Sequence, residues 1–238
     1  MIILNNLNQT GFCNMPVTKG DTVMEKKPYL DDFAPGFRAA KREDLDKILD
    51  MTSRSFTDAH YYFPSIDIDD EARCKFFHDW SSCIAESCLE HGTIFVNDDM
   101  TAMMMVAPIE HMCHLPVEKL VENMRGYAGD AAAEMLRDNL NVTTAVENSV
   151  LPTENALWIE LLAVDPAVQG QGVARSMMEE IRRQCVIHNL DMVQSTRMAR
   201  NAAIYTHVGC DTLAEYHDYT KKYNLWLMTY RIANYTGD

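Results

Sequence analysis

Glu160 is the one charged residue in an otherwise apolar run from Leu157 to Val164, LWIELLAV. A carboxylate set among apolar side chains is partly desolvated, so its pKa rises and it becomes a better general base near neutral pH. A short distance downstream, Gln169-Gly170-Gln171-Gly172-Val173-Ala174-Arg175 sets two glycines at the opening of a helical pattern. Glycine removes the Cβ atoms that would hold a bulky anion away from the backbone, and the first amides of a helix have no internal acceptor. Those residues are suited to gripping a pyrophosphate.

Periodicity supplies the elements that must hold these groups. The apolar run, closed by Asp165-Pro166, predicts a strand inside a sheet covered on both faces. Strict alternation along it would put Glu160 on one face with Trp158, Leu162 and Val164. Beyond the loop, Val173, Met177, Met178, Ile181 and Cys185 fall on one side of a helix, with Arg175, Glu179, Arg182 and Arg183 on the other. Two phosphate-binding loops fail on spacing. A Walker loop needs Gly-Lys-Ser/Thr where Val173-Ala174-Arg175 stands. A dinucleotide-binding turn needs a small residue at Arg175, and an acid closing the next strand where Gln194-Ser195-Thr196 stands.

The remaining pattern, Gln169-x-x-Gly172-x-Ala174 after an LLAVDP strand, resembles the acetyl-CoA loop of the GCN5-related N-acetyltransferase (GNAT) superfamily. Downstream, Leu190 to Ser195 predicts a second buried strand, and Arg200 to Gly209 a short helix ended by glycine. The family's second signature, an Asn, then a Tyr, then Gly-Phe, is matched by Asn201, Tyr205 and Gly209-Cys210. The Cys in place of Phe changes packing more than chemistry. The element order follows the resemblance from about Phe37 to Ile232. Within the superfamily, the strand sequence and the short Asn-to-Tyr spacing are most similar to the puromycin acetyltransferase-like group.

The resemblance implies an α/β (α+β) fold with a central mixed, mostly antiparallel sheet flanked by helices. It also implies acetyl-CoA as acyl-donor cosubstrate, no metal, and transfer to a primary amine of a small molecule. The backbone of Leu162, Ala163 and Val164 would pair with the pantetheine arm, and an N–H near Val164 would hold the thioester carbonyl. The amides of Gln169, Gly170, Gln171, Gly172, Val173 and Ala174 would take the pyrophosphate, with Arg175 as counter-charge. Asn201 would bind the pantetheine arm, although the same residue type serves as a helix N-cap. Tyr205 would be the general acid for the thiolate, unless Asn201, Ile204, Tyr205 and Val208 form only a core stripe; His207 beside them reads as surface. Glu160 is the candidate base, directly or through water, against a role as a paired structural carboxylate. No Cys is placed as an acyl carrier, so direct transfer in a ternary complex is expected. A catalytically silent acyl-CoA sensor and a protein N-terminal acetyltransferase are the alternative readings.

The whole chain sets bounds. Its 238 residues suit one domain with an elaboration. Seven cysteines without a CxxC pair suggest a reducing, cytoplasmic setting. A net charge of −14 opposes nucleic-acid binding. No apolar run has the length of a membrane span, and the N-terminus lacks the pattern of a secretory signal. A homodimer stays open. Residues 1–35 read as a tail or loosely docked arm, with Met24 as an alternative start, and 36–238 as the acetyltransferase domain.

Along that domain, Phe37 to Ala39 predicts a strand, followed by a helix burying Leu45, Ile48, Leu49, Thr52 and Phe56. A second helix follows Asp67-Ile68-Asp69-Asp70-Glu71 and buries Phe76, Phe77, Trp80, Ile84 and Cys88. Its acids suit a helix N-terminus better than a calcium loop. Thr93 to Val96 and Ala102 to Val106 form a hairpin around Asn97-Asp98-Asp99. Residues 108–155 interrupt the pattern with helices around Val117 to Met124 and Asp130 to Leu140. This insertion carries eight acidic and three basic residues, which suits selection of an amine. His111-Met112-Cys113-His114 has no distant partner at zinc spacing and reads as loop. Asn141-Val142-Thr143 matches a glycosylation sequon without support from the rest of the chain. Two strands, Thr212 to His217 and Leu225 to Ile232, close the domain through a turn at Thr220-Lys221-Lys222.

Overall fold

The computed structural model describes residues 29–56, 62–63, 66–219 and 222–234. Strand β1 (Phe37–Ala39) leads to helices α1 (Leu45–Ser55) and α2 (Asp70–His91), then to β2 (Thr93–Asn97) and β3 (Ala102–Pro108). Helices α3 (Val117–Ala128) and α4 (Asp130–Val150) precede β4 (Ala156–Val164). The rest is α5 (Val173–His188), β5 (Asp191–Thr196), α6 (Ala199–His207), β6 (Asp211–Asp218) and β7 (Tyr223–Tyr230). The strands form one sheet in the order β1-β2-β3-β4-β5-β7-β6. Only β4 and β5 pair in parallel; the other pairings are antiparallel. This is the element order and mixed sheet expected from the sequence. Of the predicted final turn, Thr220 and Lys221 lie outside the described residues, as do residues 1–28 of the predicted arm.

Local chemistry explains most boundaries. The Asp69 carboxylate accepts the Ala72 amide at 2.8 Å and caps α2, with Asp70 and Glu71 in its first turn. The β2–β3 hairpin is closed by Asn97, whose Oδ1 accepts the amides of Thr101 and Ala102 at 2.9 and 2.8 Å. Met103, Met104 and Met105 are fully buried, alternating between the two faces of the sheet. One face is covered by α1 to α4, whose Ile48, Phe77, Ile84 and Leu136 pack on Met103, Met105 and Leu161. The other is covered by α5 and α6, with Met177, Ile181 and Ala202 on Met104, Leu157 and Ile159.

Two expectations change. Arg182 and Arg183 do not line a solvent face of α5. Arg182 donates to the Val208 carbonyl at 3.0 Å and lies 4.4 Å from the Tyr230 ring centroid, tying α5 to α6 and β7. Arg183 pairs with the buried Glu180 at 2.8 Å, and Gln184 donates to the Asp32 carbonyl at 2.7 Å. These groups clasp the last residues of the predicted arm, whose Leu30 is fully buried. Second, α4 runs well past Leu140, to Val150, and so carries Thr143 and Glu147 to the sheet.

Asp69→Ala removes the α2 cap. It should cost about 1 kcal/mol and lower the thermal midpoint by roughly 2–4 °C, read by calorimetry against Asp67→Ala.

Candidate active site

β4 and β5 pair from Ala156↔Asp191 to Ile159↔Gln194 and then part. Each keeps its other neighbour: β4 stays on β3 to Ala102↔Val164, and β5 stays on β7 to Thr196↔Trp226. A wedge therefore opens at the carboxyl ends of two parallel strands, where α5 and α6 begin; open α/β sheets place ligands at such points. It holds a cavity of about 450 Å³, lined by Glu160, Ser195, Arg197, Asn201 and Tyr205, and by Glu147 from the insertion.

Glu160 sits at a β-bulge. The β3–β4 register passes from Met105↔Leu161 to Val106↔Ile159, leaving Glu160 without a partner across. The bulge reverses the parity of β4, correcting the alternation expected from the sequence. Trp158 now shares a face with Leu161 and Ala163, whereas Leu162 and Val164 share the α5 side with Leu157 and Ile159. The Cys113 amide donates to Glu160 Oε1 at 2.5 Å. Burial pushes the carboxyl up to about 7, opposed by hydrogen bonds from Cys113 and Trp158 and assisted by the charge of Glu147. So Cys113, within the short His/Cys cluster, positions a carboxylate. Among the described residues no group of His, Cys, Asp and Glu could hold a metal.

Glu147 is a second carboxylate of the same kind, and the sequence reading missed it. It is 8% exposed, accepts the Ser195 hydroxyl at 3.0 Å, and is raised to about 7 by burial, against the Ser195 hydrogen bond and the Arg197 charge. The signal was available as a stripe. Leu136, Leu140, Thr143 and Glu147 recur at helical spacing, so polar residues continue an apolar seam toward the cavity.

The candidate donor side has the free edge of β4. Asp165 N–H donates to the Thr101 carbonyl at 2.8 Å, which fixes the phase of the ladder. Residues 163 and 165 turn their backbone groups to β3, so Leu162 and Val164 turn theirs to the wedge. Ala163 is thus directed away, its side chain in the α1–α4 core. The Val164 carbonyl is engaged by Ser55 Oγ at 2.9 Å and Gln169 Nε2 at 3.1 Å. Gly170 and Gly172 have φ of +79° and +85°, and a Cβ at either would meet nothing within 4 Å. Positive φ, rather than crowding, is what requires glycine here. α5 starts at Val173, with the amides of Val173, Ala174 and Arg175 in its first turn, where helix geometry provides no internal acceptor. Gln171 is exposed, donating to the Ala167 carbonyl at 3.3 Å, and Arg175 is paired with Glu179 at 2.8 Å.

On the opposite wall Asn201 and Tyr205 line the cavity from α6. Met198, not Asn201, is the N-cap, which removes the capping explanation of Asn201. Ile204 is 46% exposed while Tyr205 and Val208 pack against the core, so the stripe of Asn201, Ile204, Tyr205 and Val208 is a core seam only in part. Burial pushes the Tyr205 phenol up to about 12. His207 ends the helix exposed, and Cys210 is buried with Met177 and Met228.

The model of the acetyltransferase (GNAT) family matches residues 45–209. No curated protein sequence matches the chain. Among solved structures, arylalkylamine N-acetyltransferase 2 from Aedes aegypti is similar at a TM-score of 0.53 and 12% identity, over 82% of this chain and 98% of that one. The C-terminal condensation domain of Ebony, in complex with beta-alanyl-dopamine, superposes at 0.58 with 8% identity, over 84% of this chain and 100% of that one. A protein described as histone acetyltransferase HPA2 and related acetyltransferase, from Corynebacterium glutamicum, gives 0.52 and 15%, over 85% and 98%. At these identities the likeness is one of fold.

The two carboxyls bind protons in the folded chain up to about pH 7, whereas unfolded glutamates release theirs near 4.5. In that window the native state holds more protons, so their contribution to stability falls as pH rises from about 4.5 to 7 and stays low above it. Urea unfolding of Glu147→Gln and Glu160→Gln should therefore gain on the wild type progressively from pH 5 to pH 8.

Proposed function

The chain belongs to the acetyltransferase (GNAT) family, and from that premise we propose that it transfers an acetyl group from acetyl-CoA to a primary amine of a small molecule, directly within a ternary complex. The observation that carries this reading is the parting of β4 from β5 with the half-buried Glu160 at the apex and the open start of α5 beside it. A cavity of about 450 Å³, partly walled by the insertion, suits a small acceptor.

The residues fit the donor. Leu162 offers unpaired strand-edge groups to an extended amide-bearing arm, and the first amides of α5, with Gly170 and Gly172 leaving the approach open, offer donors to a diphosphate. When bound, acetyl-CoA supplies the activated acetyl group. Asn201 faces the same space and is the side-chain partner for the arm. Arg175, engaged with Glu179, contributes charge at the mouth rather than a dedicated contact.

An ammonium must lose a proton before its lone pair can attack. Glu160, held near 7 by burial, is ionised often enough at neutral pH to accept that proton and keeps enough affinity to hold it. The Cys113 amide and the Trp158 side chain orient the carboxylate, which meets the amine directly or through an intervening water. Tyr205 is a weak acid here. Transfer from a phenol at about 12 to a thiolate near 8.5 is uphill by about 5 kcal/mol. Its role is a hydrogen bond to the departing sulfur, with full proton transfer left to solvent.

Thiol release with acetyl-CoA and an amine panel tests this. Glu160→Gln should lower kcat/KM by about 10²–10³ and abolish its rise with pH through about 7. Tyr205→Phe should lower kcat by roughly tenfold, with acetyl-CoA affinity retained in calorimetry. An unchanged pH profile in Glu160→Gln would remove it as the base.

A further inference from the structure

Arg197, immediately after β5, is 8% exposed and lines the cavity. Its guanidinium is stacked between two rings, 4.0 Å from the Tyr62 centroid and 4.7 Å from that of Tyr223. Nη2 donates at 2.6 Å to Thr143 Oγ1, a hydroxyl that also meets the Asn139 carbonyl at 2.7 Å and Tyr223 OH at 2.5 Å. Thr143 thereby anchors Arg197 but carries no charge. Nη1 is buried and has no acceptor among the described residues.

A buried cation with one nitrogen unmatched is costly, because burial removes its hydration without replacing it. Glu147 lies close enough to feel the Arg197 charge, yet its bonded oxygen is taken by Ser195, and no ion pair joins it to Arg197 among the described residues. A second donor is in the same condition. Trp80, 9% exposed and lining the same cavity, has a buried Nε1 without an acceptor among the described residues. Trp80 packs on Tyr62 at 5.8 Å between centroids, and Tyr62 is the ring that Arg197 covers. Two unmatched N–H donors, one of them cationic, therefore belong to cavity-lining residues that both pack on Tyr62. Planar guanidinium is well matched to carboxylate, and rigid stacking reduces the entropy lost on binding it.

We infer that the acceptor carries a carboxylate, received by Arg197 Nη1 and Trp80 Nε1, so that the substrate class is an amino acid or similar aminocarboxylate rather than a simple alkylamine. This rests on the amine-acetylation reading. The ammonium end of such a molecule faces Glu160 and Glu147 while its carboxylate faces Arg197, so each of these ionisable groups meets an opposite charge.

The test is thiol release from acetyl-CoA with matched acceptors: leucine, phenylalanine and glutamate against the amines left when each loses its α-carboxylate. The amino acids should exceed their decarboxylated counterparts at least 10²-fold in kcat/KM, chiefly through KM. In Arg197→Gln that ratio should fall to within about threefold of unity. Trp80→Phe keeps the ring stack, loses the N–H, and should reduce the ratio roughly tenfold; it carries the test if Arg197→Gln does not melt as a folded protein. Turnover with a ratio at or below unity, or a ratio that neither variant changes, overturns the inference and leaves the acetyltransferase reading standing. Absence of turnover across the panel, or of acetyl-CoA binding in calorimetry, overturns that earlier reading and this one with it.

Discussion

The site depends on one feature of the sheet: two parallel strands that begin as neighbours separate partway along their length. β4 and β5 are each held on the far side by an antiparallel partner, and those pairings persist beyond Ile159↔Gln194, where the parallel one stops. The bulge at Glu160 marks the place. An extra residue in one strand bends it and sharpens its twist, so the irregularity that sets Glu160 at the apex also bends β4 where the strands separate. Backbone groups freed at Leu162 would be costly if sealed in apolar surroundings. Beside a cavity they stay open, and the polar surface of the wedge follows from an unfinished ladder.

That geometry also explains how an acidic chain builds a buried polar site without a metal-like cluster among its described residues. Glu147, Glu160 and Arg197 come from a helix, a strand and a strand end that meet only in the folded chain, each with neutral hydrogen-bond partners: Ser195 for Glu147, Cys113 and Trp158 for Glu160, and Thr143 for Arg197. Such partners orient a charge but do not cancel it. The carboxyls respond by shifting toward neutrality, which a guanidinium cannot do. Arg197 instead is sandwiched between Tyr62 and Tyr223, whose faces are electronegative. The difference lies in acid strength, and it leaves the arginine as the group still in need of a partner.

Much of this was legible in the sequence because it rests on local signals. The apolar run of β4, the helical seam of α5, the glycines at Gly170 and Gly172 and the cap at Asp69 each depend on a few neighbouring residues, and the structure has these elements in the expected order. The glycine loop and Glu160 were visible for the same reason. Period-two alternation failed where a bulge inserted a residue, since nothing in LWIELLAV distinguishes a regular strand from one with an unpaired Glu160. The helical pattern of α4 fades in the sequence near Leu140 because Thr143, Thr144, Asn148 and Ser149 favour helices weakly. Packing against the sheet outweighs that propensity, and polar residues on its buried seam find partners in Tyr223, Arg197 and Ser195.

The arginines were the least legible residues, and for a general reason. Arg175, beside the glycine loop, has the sequence position expected of a ligand contact, and the structure pairs it on the surface with Glu179. Arg197, between an apolar strand and a short helix, had no motif to mark it, yet it is the buried one. An arginine's long stem lets its head reach far from its backbone, so proximity in sequence says little about where the charge comes to rest. What decides it is which surfaces can cover the stem and ring-stack the head. Here those surfaces are Tyr62, Tyr223 and Thr143, drawn from three separate stretches of chain. The placing of the buried arginine is therefore a property of tertiary packing around the wedge, while the strand edge, the glycine loop and the start of α5 lie on one short continuous segment. This division is why a sequence can declare its family and stay silent about the packing that buries a single arginine.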